Sequence, residues 1–122
     1  MKKLVSLCLT FSALSFIGLG QHTPKSVNAC LKPFYHGVAS GDPLSDRVIL
    51  WTRITPDNGV NTPQIVEWKI AKDTAFTIGL QSGVVLTDQA KDYTVKVDPS
   101  GLEANTTYYY QFKSDTLKSV IG

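Results

Sequence analysis

The 122 residues allow one domain of ordinary size. Twelve Lys and Arg stand against ten Asp and Glu, but Lys2, Lys3 and Lys25 lie in the first 25 positions, and without them nine face ten. A body so near neutral, with no basic stripe interleaved with aromatics, lacks the electrostatic footprint of a nucleic-acid binder.

Met1-Lys2-Lys3 is a basic start, and Leu4 to Gly20 is a charge-free apolar run broken by Gln21-His22-Thr23-Pro24-Lys25. This is the plan of a secretory signal peptide over residues 1–29, and it predicts export. A membrane anchor is the competing reading, but a run of about 17 residues containing several Ser, Thr and Gly is marginal for spanning. No twin-Arg pair precedes the run, so the general route is expected. Small residues suit cleavage at Gly20-Gln21 and at Ala29-Cys30. Val27-Asn28-Ala29-Cys30 also has the form of a lipobox, which makes Cys30 a candidate lipidation site and the membrane a candidate partner. Nine polar-biased residues separate it from the apolar run, whereas a lipobox usually abuts one. Cys8 lies in the leader, so Cys30 is left without a partner and no internal disulfide is expected.

From residue 33 onward the sequence reads as short strands between turn signals. They are predicted at 35–40, 47–54, 65–71, 76–81, 84–87, 93–97, 106–113 and from 117 on. Gly41-Asp42-Pro43, Pro56-Asp57-Asn58-Gly59 and Pro99-Ser100-Gly101 separate some of them, and Ser82-Gly83 suggests a short hairpin. About seven strands without helices predict an all-β fold, an antiparallel β-sandwich.

Two details point to the fibronectin type III or immunoglobulin-like kind. Trp51 closes the second strand, where a core Trp is expected. Tyr108 follows Leu102 by six residues, the spacing of a tyrosine corner, in which a strand-entry Tyr bonds back to the preceding loop. Tyr108, Tyr110 and Phe112 share one face of their strand. The second strand is apolar on both sides. Ile49 and Trp51 are assigned to the core, while Val48 and Leu50, with Ile54, are assigned to a surface that docks a neighbouring domain. A central strand partly covered by a loop explains the same pattern.

Residues for chemistry are few. His36 is the only histidine after the leader, and one His is more often packed or capping than a ligand. Asp42 and Asp46 resemble no calcium loop. Gly37 and Gly41 in His-Gly-Val-Ala-Ser-Gly-Asp-Pro match neither common phosphate-cradle spacing, and Ser40 and Ser45 have no visible base. No catalytic, cofactor-binding or metal-ligating residue is assigned. Gly37, Gly41, Asp42, Pro43, Val48, Leu50, Trp51 and Tyr108 are given structural or interdomain roles.

HGVASGDP, DRVILWTR, VEWKIAKD, DYTVKVD and GLEANTTYYYQF, in that order, resemble the N-terminal domain of the PhoD-like alkaline phosphatases. The resemblance covers nearly everything after the leader. It implies a fibronectin-like sandwich over residues 33–122 that packs, in the same polypeptide, on a larger metallophosphoesterase domain. It also implies exported phosphatase or phosphodiesterase activity dependent on calcium and iron. The family's metal ligands lie in the catalytic domain, which is absent from this sequence, so none is carried over. Ser119-Val120-Ile121-Gly122 is similar to the start of the segment that leads into that domain. The expected function is therefore a non-catalytic accessory domain. A stand-alone extracellular binding or adhesion module is the alternative.

Overall fold

The computed structural model describes residues 28–57 and 61–122. Of the expected leader, only the last residues lie within them. Seven strands form two antiparallel sheets and there is no α-helix among the described residues. The first sheet has the order β1-β2-β5, with β1 Val38–Gly41, β2 Ile49–Arg53 and β5 Thr94–Val97. The second has the order β4-β3-β6-β7, with β3 Gln64–Ala71, β4 Gln81–Thr87, β6 Tyr109–Ser114 and β7 Leu117–Lys118. The two-sheet sandwich predicted from the strand spacing is the fold observed.

Alternation along each strand sets which side chains enter the core. In β6 every second residue is buried, and in β5 Val95 and Val97 point inward while Lys96 is exposed. Phe34, Leu50, Ile54, Val66, Ile70, Val95 and Phe112 form the centre of the core. Tyr110 packs edge-on against Phe112 with ring centroids 6.2 Å apart, a favoured aromatic geometry.

The face assignment of β2 is reversed. Leu50 and Ile54 are each 1% exposed and Thr52 is fully buried between them, whereas Ile49 and Trp51 are half-buried on the outer side. The register agrees: Leu50 lies opposite Val97 and Thr52 opposite Val95, both core residues, while Trp51 lies between exposed Ala39 and Lys96. The outer series continues into Arg53, whose charge belongs in water; the inner series holds only Val, Leu, Thr and Ile. Thr52 enters the core because its hydroxyl donates to the Gly37 carbonyl at 2.8 Å, which satisfies the buried oxygen.

The hairpin predicted at Ser82-Gly83 is also corrected. β4 runs through both residues, and Gly83 stands opposite Trp68. A Cβ on Gly83 would lie 2.7 Å from the Trp68 indole nitrogen. The glycine gives space to a ring and makes no turn. The turn sits earlier, where the Asp73 carboxylate accepts the N–H groups of Thr77 and Ile78, each at 2.8 Å, and the Thr77 hydroxyl at 2.8 Å.

Beyond β7 the pairing continues. Ser119 N–H donates to the Phe112 carbonyl at 2.9 Å, and Tyr110 and Gly122 exchange both backbone bonds, at 3.0 and 3.1 Å. Val120 and Ile121 together face Gln111, which makes a β-bulge on this edge. Residue 122 is thus seated on β6.

Candidate functional site

The Tyr108 hydroxyl accepts the Glu103 N–H at 2.9 Å. This is the back-bond expected of a tyrosine corner, and Leu102 and Tyr108 pack against the core beneath it. At the same end, Gly41 closes β1 and Asp42 turns the chain with φ 50°, a left-handed conformation that Asp tolerates. Asp42 and Pro43 are exposed. Gly37 has φ 72° in the turn before β1, which favours glycine, and its carbonyl receives the Thr52 hydroxyl. The Gly-Asp-Pro loop and the corner loop bound an open groove of about 450 Å³, with Pro43, Leu44 and Arg47 on one lip and Glu103 and Thr106 on the other. Val48, Leu50 and Tyr110 also line it. Leu50, assigned from sequence to the docking surface, is core; Val48 is partly buried against that core; and Trp51, assigned to the core, faces outward.

The outer face of the three-stranded sheet is tied down by a polar network. Arg53 donates through Nε and Nη2 to the Asp92 carboxylate at 3.0 and 2.7 Å, and through Nε to the Asp92 carbonyl at 3.1 Å. Its Nη1 lies 2.6 Å from His36 Nε2, where the imidazole must accept. The Arg53 hydrogen bond holds the Asp92 carboxyl below the ordinary carboxylate range despite some desolvation. Arg47 pairs with Asp46 and Asp98 beside Leu102 N–H, which donates to Asp46 O.

The outer face of the four-stranded sheet is different. Ile65 stands opposite Leu86, and Glu67 opposite Val84; Ile65, Leu86 and Val84 are 61%, 54% and 66% exposed. Next to them runs a shallow trough of about 460 Å³ lined by Leu80, Val84, Lys69, Lys113 and Lys118. Lys113 bonds Glu67 at 3.0 Å across the strands. The Lys69 ammonium sits 3.7 Å above the Phe76 ring. Desolvation, reinforced by nearby Lys118, pushes its pKa down. Sequence reasoning missed this face. Its signal was the alternation of Ile65, Glu67 and Lys69 with core residues, and the even-numbered series Leu80, Ser82, Val84 and Leu86.

No group of three or more His, Cys, Asp or Glu is gathered to hold a metal among the described residues. Cys30 is a free, exposed thiol in a 3-10 turn, its N–H bonded to the Asn28 side chain.

A seven-strand sandwich closed by a tyrosine corner, with two chemically distinct outer faces, defines a small β-domain in which surfaces are more developed than any reacting cluster. The chain belongs to the family described as PhoD-like phosphatase, N-terminal domain, whose model matches residues 21–122. It is 44% identical over 95 residues to alkaline phosphatase D of Bacillus subtilis (strain 168), a match covering 74% of this chain and 16% of that protein. It is also similar to a solved structure described as the structure of PhoD, at a TM-score of 0.71 and 39% identity, over 80% of this chain and 20% of that one. The chain therefore spans about a fifth or less of the length of these relatives.

Proposed function

We propose that this chain is the accessory β-sandwich of an exported PhoD-like phosphatase or phosphodiesterase and packs on a catalytic portion that the family carries in the same polypeptide. The observation that carries the reading is the family match over residues 21–122 together with the small share, 16%, that it occupies in the curated relative. Strand order β1-β2-β5 against β4-β3-β6-β7, with the Tyr108 corner, supports a fibronectin type III-like assignment. Calcium and iron belong in this reading to the catalytic portion. The described residues gather no ligand set that fits either ion. The basic start and apolar run of residues 1–20 support export to the periplasm, cell surface or medium. Cys30 is the attachment point if the chain is lipid-anchored.

The test is replacement. Residues 34–122 are put in place of the matching segment of Bacillus subtilis alkaline phosphatase D, and the isolated chain is assayed beside the chimera. A folded chimera that hydrolyses p-nitrophenyl phosphate, with no turnover by the isolated chain, is expected. Turnover by the isolated chain that is lost on chelation overturns the accessory reading.

A further inference from the structure

Among the described residues, every strongly exposed large apolar side chain except Leu44 belongs to β3, β4, β7 or the segments adjoining them. Ile65, Val84 and Leu86 form their centre, because the β3–β4 register sets Ile65 beside Leu86 and brings Val84 next along the strand. Clustered apolar groups rimmed by charge are the usual composition of an interface, whereas single exposed apolar residues are ordinary surface. The rim here is cationic: Lys69, Lys113 and Lys118 lie along the trough, with Glu67 as the one carboxylate among its lining residues. Lys69 already stands partly desolvated over Phe76.

We propose that the outer face of the four-stranded sheet, centred on Ile65, Val84 and Leu86 and bordered by Lys69, Lys113 and Lys118, is the surface through which this sandwich docks on the remaining polypeptide of a PhoD-like phosphatase, against an apolar patch edged with carboxylates. The proposal rests on the accessory reading above. Two observations select that occupant. The relatives carry most of their length outside the matched segment. Residue 122 is seated on β6, so polypeptide continuing past the matched segment in the relatives leaves from this same sheet. The cationic rim then supplies register and partner choice more than raw affinity.

The test compares two single thiols in a Cys8→Ser, Cys30→Ser background: Val84→Cys on the proposed face, and Ala39→Cys, exposed on the outer face of the other sheet. Each is placed in the 122-residue chain and in the chimera with Bacillus subtilis alkaline phosphatase D, and maleimide labelling is timed. In the isolated chain both thiols are expected to label rapidly. In the chimera Val84→Cys is expected to slow by about tenfold or more, because a covered thiol reacts only when the contact opens, and Ala39→Cys is expected not to change. Equal labelling of Val84→Cys in both proteins overturns the proposal. If Ala39→Cys is slowed instead, packing stands and the face is wrong; if neither is slowed, neither outer sheet face is covered and the proposal fails, with the loop groove beside Pro43 and Glu103 left as the place where packing could still occur. Labelling of Val84→Cys in the isolated chain that slows with protein concentration, and recovers with Leu86→Asp, makes a second copy the occupant and also overturns it. Should the chimera not fold, the same pair at the aligned positions of the full-length relative gives the same readout.

Discussion

The two sheets treat their outer faces in opposite ways. On the three-stranded sheet Trp51 is half-buried between its neighbours, and Arg53 is fixed by Asp92 and His36. On the four-stranded sheet Val84, Ile65 and Leu86 stand more than half exposed beside a row of lysines. Apolar character on a strand therefore does not say what covers it. β2 looked as though it needed an outside partner, yet its Leu50 series is covered by its own sandwich. β4, with fewer aromatic residues, is the strand left open.

The sharpest way to break this contrast is to truncate one residue from each side of it. Leu50→Ala leaves a hole in the core and is expected to cost about 2–5 kcal/mol, seen as a large fall in the urea midpoint. Val84→Ala, on the open face, is expected to stay within about 0.5 kcal/mol. Comparable losses from the two would place both residues in one core. Next in size is Gly83→Val, whose Cβ would meet the Trp68 ring at 2.7–2.9 Å. Shifting that ring is expected to cost about 1–3 kcal/mol and to change tryptophan fluorescence, with the blue edge of the emission lost. An unchanged spectrum would mean that Trp68 does not lie over β4.

Tyr108→Phe removes the acceptor of the Glu103 N–H and is expected to cost about 0.5–1.5 kcal/mol, less than either core change, because the amide is near solvent and water can replace the hydroxyl. An unchanged midpoint would leave the corner as a packing contact only.

These residues also show what was legible from sequence. Strand number, the sandwich and the tyrosine corner follow from turn spacing and from Leu102 to Tyr108, all local signals. The faces of β2 were not legible by residue size: Trp51 drew the core assignment to itself, although Arg53 on its own face marked that side as wet. Gly83 was misread because a glycine that admits a ring and one that makes a turn look alike until the cross-strand partner, Trp68, is known. The open face needed register as well, since Ile65 and Leu86 are 21 positions apart and become neighbours only through β3–β4 pairing.

The smallest effect separates the sheets by acid. Asp73, in the β3–β4 turn, is held below the ordinary carboxylate range first by the Ile78 N–H, then by the Thr77 hydroxyl and N–H. Asp92 is lowered first by the Arg53 hydrogen bond, then by the Arg53 charge. Both folded values lie below the unfolded one, so each carboxylate contributes its full stability above the unfolded value of about 3.9 and loses it as pH falls through the folded value. Urea midpoints should therefore decline on the acid side of about pH 4, and Asp73→Asn or Asp92→Asn should each flatten part of that decline. Salt distinguishes them. The Asp92 share involves exposed opposite charges and should shrink at high ionic strength, whereas the Asp73 share comes from short bonds to neutral donors and should persist. If high salt removes both equally, the Asp73 turn is held by net charge and its backbone bonds are not what fix the start of β4.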